Sequence, residues 1–192
     1  LNGQQLLLRI IDCLAETQIP YVIVGSFATN VYAIARSTQD ADVVVNAVPG
    51  QIAALAKALS TDFIRDPQIQ FETVTATTKT VLTERQTGFI LELFQLSDDP
   101  HDQERFARRR EITVQGRPTW VLSKEDVLIT KLNWLLRANR TKDLLDIRNV
   151  MGVQGDSIDW PYVEKWCDRH GTRELLERLR SEMKQALQQR KQ

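Results

Sequence analysis

The residues from Tyr21 to Asn46, YVIVGSFATNVYAIARSTQDADVVVN, constrain this chain more than any other stretch. Tyr21 to Val24 is an apolar run too short for a typical helix and rich in β-formers, which predicts a buried strand. Gly25 and Ser26 break it. Phe27, Ala28, Val31, Tyr32 and Ala35 then recur at helical spacing, which makes Ser26 the expected N-cap of a short helix over 27–35. After Arg36-Ser37-Thr38-Gln39 a second strand, Asp40 to Val45, carries Asp40 and Asp42 two positions apart. Such side chains share one face, with Cα atoms roughly 6.6 Å apart. Unit charges of like sign about 4 Å apart repel by about 4 kcal/mol at an effective dielectric near 20. The pair therefore either faces water at a strand edge or converges on a divalent cation. The Gly-Ser turn and the following helix N-terminus offer a phosphate a close approach to backbone N–H groups.

Val24-Gly25-Ser26, a gap from Phe27 to Gln39, and Asp40-Ala41-Asp42-Val43 together resemble the signature of the nucleotidyltransferase superfamily, which has the DNA polymerase beta-like fold. The form R-x-T-x-D-x-D, Arg36 to Asp42, is similar to the bacterial AbiEii-like branch and its uncharacterised relatives. The resemblance implies metal-dependent transfer of a nucleoside monophosphate from an NTP co-substrate to an acceptor hydroxyl on RNA, protein or a small molecule. It implies Asp40 and Asp42 as catalytic metal ligands for two Mg²⁺ (or Mn²⁺) ions, about 3.5 to 4 Å apart in such sites. Gly25, Ser26, Arg36 and Thr38 fall at nucleotide-binding positions of the motif. A toxin-type enzyme acting on tRNA, with an antitoxin partner, is the special case this branch suggests. The alternative function is a catalytically weak or inactive module that binds nucleotide or a protein partner.

A third carboxylate is expected from Phe89 to Leu96, FILELFQL, a strong strand entered through a Thr87-Gly88 turn. Glu92 stands in its middle, where an unpaired carboxylate is expensive to bury. It faces water opposite Leu91, Leu93 and Leu96, or it neighbours the D-x-D strand at about 4.8 Å and completes a three-carboxylate metal site. The superfamily places its third carboxylate on such a strand, usually as Asp.

Further along, Ser123 is a good N-cap for a helix over 124–137 whose Val127, Leu128, Leu132, Leu135 and Leu136 point to a core, with Lys131 on the flank of that stripe. Arg140-Thr141-Lys142-Asp143 opens the next helix. The stretch Leu128 to Ile147 looks like the K-L helix and R-x-K-D-x-x-D pattern of the bacterial branch, which implies Lys131, Lys142 and Asp143 at the nucleotide phosphates. Arg105 to Arg110, RFARRR, reads either as cations stabilising a helix C-terminus or as a phosphate or RNA-backbone contact.

The remaining pattern predicts a helix over 3–16, another over 51–59, extended chain in the Thr-rich run 73–83, two short strands flanking Gly116-Arg117-Pro118, and two closing helices separated by Gly171. The last carries Leu175, Leu176, Leu179, Met183 and Leu187 before a polar tail expected to fray. The expected fold class is α/β (α+β): a small mixed sheet forming a nucleotidyltransferase core over 1–122, flanked by helices, with a C-terminal helical part over 123–192 closing a nucleotide cleft.

Lys+Arg and Asp+Glu number 25 each, so no overall field draws the chain onto nucleic acid or anionic lipid. Two cysteines far apart, Cys13 and Cys167, suggest no disulfide framework and fit a reducing, cytoplasmic setting. No apolar run reaches the 18 or so residues of a membrane span, and the first residues do not read as a signal peptide. The acceptor and a homodimer stay open.

Overall fold

A computed structural model of the chain describes residues 2–189. The predicted tail beyond Gln189 and the side chain of Leu187 lie outside the described residues. The chain forms two compact units. One holds residues 1–28 and 36–123, the other 29–35 and 124–192.

The first unit is built on one mixed sheet. Its strands are β1 (Tyr21–Ile23), β2 (Asp40–Val45), β3 (Phe63–Arg65), β4 (Gln70–Glu72), β5 (Thr77–Glu84), β6 (Ile90–Gln95), β7 (Arg110–Val114) and β8 (Arg117–Val121). They lie in the order β3-β5-β6-β2-β1-β8-β7, with β4 paired to β5. β2 runs parallel to β6, β1 runs parallel to β8, and the remaining pairings are antiparallel. Strand alternation separates two faces. Ala41, Val43, Val45, Leu82, Leu91 and Leu93 point to the buried side and join Leu6, Ile10, Ile11 and Leu14 of helix α1 (Gly3–Glu16) and Leu55 and Leu59 from the region of helix α3 (Pro49–Ala58) in one core. Asp40, Asp42 and Glu92 point to the other side.

Local signals set several boundaries. α1 begins with a reciprocal cap: Asn2 Oδ1 accepts from the Gln5 N–H at 2.9 Å, and Gln5 Oε1 accepts from the Asn2 N–H at 2.9 Å. The β7–β8 hairpin turns through Gln115 (φ 47°) and Gly116 (φ 79°), the left-handed pair that a two-residue turn requires. Helix α4 (Pro100–Ala107) is capped by Asp99, whose carboxylate accepts from the His101 and Asp102 N–H groups.

Two expectations are corrected here. Helix α2 runs over Gly25–Tyr32, so Ser26 lies inside its first turn rather than at the N-cap, and Ile34 and Ala35 fall outside it. The positive φ of Gly25, 60°, bends the chain from β1 directly into the helix.

The second unit is helical: α5 (Lys124–Ala138), α6 (Thr141–Gln154), a 3₁₀ turn (Gly155–Ser157), α7 (Trp160–His170) and α8 (Arg173–Gln189). Leu128, Leu132, Ile147, Val150, Val163, Trp166 and Leu176 are buried in it. Leu136, expected to point inward, is 52% exposed. α7 ends at Gly171 in the left-handed conformation, φ 71°, as its position after the apolar stripe predicts. Among the described residues no helix is long and apolar enough to cross a membrane.

Candidate active site

The R-x-T-x-D-x-D stretch is tied together by its own side chains. Arg36 Nη2 donates to Ser26 Oγ at 2.9 Å, which pins the loop before β2 to the first turn of α2. The Thr38 hydroxyl donates to Asp40 Oδ1, fixing that carboxylate at the head of β2. Asp42 sits against Gly25 so closely that a Cβ there would lie 2.8 Å from Asp42 Cγ and 3.0 Å from Asp42 Cβ. Only a glycine leaves that space, and only a glycine takes φ 60° there without strain. The Val24 N–H donates to the Asp42 carbonyl at 2.8 Å, which locks the end of β1 to β2 at the same point.

Glu92 is in register beside Asp42, its Cα partner across the parallel β2–β6 ladder. Asp40, Asp42 and Glu92 therefore share one half-exposed sheet face, at a strand spacing of about 4.8 Å between Asp42 and Glu92. Glu92 already has a cation: Lys79 Nζ of β5 donates to Glu92 Oε1 at 2.6 Å. Sequence reasoning missed this lysine. The signal was present in the β5–β6 hairpin register, which places Val81 opposite Glu92 and Lys79 opposite Phe94, one diagonal step away on the same face.

The donor chemistry of Asp40 and Asp42, two half-exposed carboxylates on one face, fits a hard divalent cation. Among the described residues no three His, Cys, Asp or Glu side chains gather closely enough to hold a metal ion, and the Glu92 carboxylate is turned to Lys79.

The residues of the second motif gather within the helical unit. Lys131 is buried and lies 2.8 Å from both Asp143 Oδ1 and Asp146 Oδ2, and Arg140 Nε stands 3.4 Å from Asp143 Oδ2. Asp143 and Asp146, three apart on α6, thus clasp the ammonium of α5 between them. Lys142 is exposed on the first turn of α6. Beside this network the Tyr162 hydroxyl donates to Asp126 Oδ1 at 2.8 Å, both groups buried.

The arginine cluster is divided among different tasks. Arg105 is buried and pairs with Asp102 at 2.7 Å. The Arg109 guanidinium lies over the Phe106 ring at 4.5 Å and the Trp120 ring at 4.9 Å, and Nη1 donates to the Phe106 carbonyl at 2.7 Å. Arg110 opens β7 and is exposed.

Comparison with known proteins agrees with this architecture. The antibiotic-resistance factor ANT(2'')-Ia in solution is 15% identical, with 97% of each chain covered and a TM-score of 0.60. The same enzyme in complex with adenylyl-2''-tobramycin is 15% identical over 88% of this chain and 97% of that one, with a TM-score of 0.61. An antigenic nucleotidyltransferase-like protein from Paracoccidioides brasiliensis is 22% identical over 81% of this chain and 76% of its own, with a TM-score of 0.55. At these identities the likeness is one of fold. No curated protein matches the sequence. The match that carries membership is to a whole family and spans residues 6–191: by it, the chain belongs to the family described as nucleotidyltransferase of unknown function (DUF6036).

Proposed function

We propose that this protein transfers a nucleoside monophosphate from an NTP to an acceptor hydroxyl, on the sheet face that carries Asp40 and Asp42. The observation that carries the reading is the seating of Asp42 on Gly25, which sets a carboxylate pair beside the start of α2. The acceptor oxygen attacks the α-phosphorus, the bond to the β-phosphate oxygen breaks, and pyrophosphate leaves while the hydroxyl proton passes to solvent or a carboxylate. Asp40 and Asp42 would hold a divalent ion, Mg²⁺ or Mn²⁺. Such an ion supplies charge neutralisation on the phosphate oxygens.

The chain's own groups do the rest. Thr38 holds the Asp40 carboxylate in one orientation, so it need not reorganise when substrate binds. Gly25 and Ser26 bring the positive end of α2 to the site, and Arg36, held on the Ser26 hydroxyl, adds a guanidinium suited to a phosphate. Of the second motif, Lys142 is exposed and open to a phosphate, whereas the Lys131 ammonium is committed to Asp143 and Asp146. Family membership supports the reaction class, and the adenylyl-2''-tobramycin bound by ANT(2'')-Ia, which shares the fold, supports a hydroxyl acceptor.

The test is incubation with Mg²⁺ and each α-phosphate-labelled NTP together with total RNA, protein extract or aminoglycosides. Label should appear on one acceptor class and fall at least about 100-fold in Asp40→Asn/Asp42→Asn. Bound NTP with no label on any acceptor would replace the transferase by a nucleotide-binding module.

A further inference from the structure

The acidic face carries a cation of its own. Lys79 reaches diagonally from β5 to Glu92 on β6, at 2.6 Å, with its ammonium 5.7 Å from the Phe94 ring centroid. The two side chains are 15% and 23% exposed, so the pair is neither sealed in the core nor fully hydrated. In that setting a charge-assisted hydrogen bond is strong and well oriented. A divalent ion seeking Glu92 would have to displace this ammonium or lie against it, and like charges in a partly desolvated site repel.

Building on the nucleotidyl-transfer reading, we propose that Glu92 is not a metal ligand but a positioning residue for Lys79. One divalent ion is held on Asp40 and Asp42, and the Lys79 ammonium supplies the second positive charge directly to the triphosphate of the nucleotide. A lysine suits that task, being a compact point charge on a flexible stem with three donors and able to turn from a carboxylate to a phosphate oxygen. Glu92 keeps it on the face until nucleotide arrives.

The test uses the full chain. Mn²⁺ binding is followed by the electron paramagnetic resonance of free Mn²⁺ in the wild type, Asp42→Asn, Glu92→Gln and Lys79→Met, with thermal melts confirming that each variant is folded. The affinity for α,β-methylene analogues of the four NTPs is measured on the same proteins and on Lys79→Arg. The expected result is one Mn²⁺ per wild-type chain, weakened at least about tenfold by Asp42→Asn and held within about threefold in Glu92→Gln and Lys79→Met. Lys79→Met should weaken analogue binding at least about tenfold, with partial recovery in Lys79→Arg.

Loss of Mn²⁺ in Glu92→Gln as severe as in Asp42→Asn would overturn the proposal and make Glu92 a ligand. So would two Mn²⁺ ions per nucleotide-free wild-type chain, or unchanged analogue affinity in Lys79→Met. A wild-type chain that binds no Mn²⁺ would remove the metal-dependent transfer reading itself, and the proposal with it.

Discussion

Replacing Gly25 with alanine puts a methyl group at the point where the site is tightest. Two costs can be separated. The backbone at φ 60° is left-handed, which costs a residue with a Cβ about 1–2 kcal/mol. The added Cβ would also stand 2.8 Å from Asp42 Cγ and 3.0 Å from Asp42 Cβ, inside ordinary van der Waals contact, so the carboxylate must move. A displacement on the order of 1 Å of a group at the reacting centre costs about 100-fold in rate. Gly25→Ala should thus lower stability by about 2–4 kcal/mol, the backbone cost plus a similar cost of overpacking, and lower transfer about 100-fold in whatever acceptor assay succeeds. A double-mutant cycle isolates the contact. In an Asp42→Ala background the Cγ contact is gone and only the approach to Cβ remains, so the same Gly25→Ala change should cost less than in the wild type, down toward the backbone share of about 1–2 kcal/mol. Urea denaturation of the four proteins measures it. Additive costs, with Gly25→Ala as destabilising in the Asp42→Ala background as in the wild type, would refute the claim that Gly25 exists to seat that carboxylate.

Two further outcomes follow from buried groups. Lys131→Met removes the ammonium from between Asp143 and Asp146, buried at 1% and 2% exposure, and should destabilise the chain by about 3–5 kcal/mol in urea denaturation; a loss below about 1 kcal/mol would mean the network contributes little to the fold. Burial pushes the Cys13 and Cys167 thiols above their ordinary value of 9.0. The unfolded chain therefore ionises first, and the stabilisation is complete below pH 9.0 and is lost as pH rises through the higher folded values. Stability should decline between pH 9.0 and 10.0, before the Tyr21 phenol, itself raised by burial from 10.0, contributes in the same sense. Cys13→Ala/Cys167→Ala should flatten that decline, and an unchanged slope would refute the assignment.

The periodic elements were legible in the sequence because burial repeats with the element. α1 occupies Gly3–Glu16 as its Leu6, Leu7, Ile10, Ile11, Leu14 stripe predicts, and β2 occupies Asp40–Val45. Weak periodicity hid β3 and β4: Ile64, Phe71 and, just before β4, Ile69 are exposed, and the single buried Phe63 makes no repeating pattern. Ser26 misled because Gly25 can begin a helix at positive φ, a conformation no side-chain pattern reports. The D-x-D face was readable from the two-residue period alone. The partners of its charges were not. Lys79 meets Glu92 only through hairpin register, and Lys131 meets Asp143 and Asp146 only through packing of α5 on α6. Spacing alone names no carboxylate for either lysine, yet Lys79 is held by one and Lys131 by two. Three of the four arginines of RFARRR show the converse: in a run that reads as one basic patch, Arg105 is in an ion pair, Arg109 lies over two aromatic rings and Arg110 is exposed.

If Asp40 and Asp42 form the floor of the nucleotide site, a divalent ion and a triphosphate must meet on them. A crystal structure with Mn²⁺ and a non-hydrolysable NTP analogue, recorded near the manganese absorption edge, tests it most directly. An anomalous peak is expected in contact with the carboxylates of both Asp40 and Asp42, with the triphosphate beside Gly25 and Ser26 and within reach of Lys79. Mn²⁺ and triphosphate bound together elsewhere on the chain, with the Asp40–Asp42 face bearing only water, would contradict it.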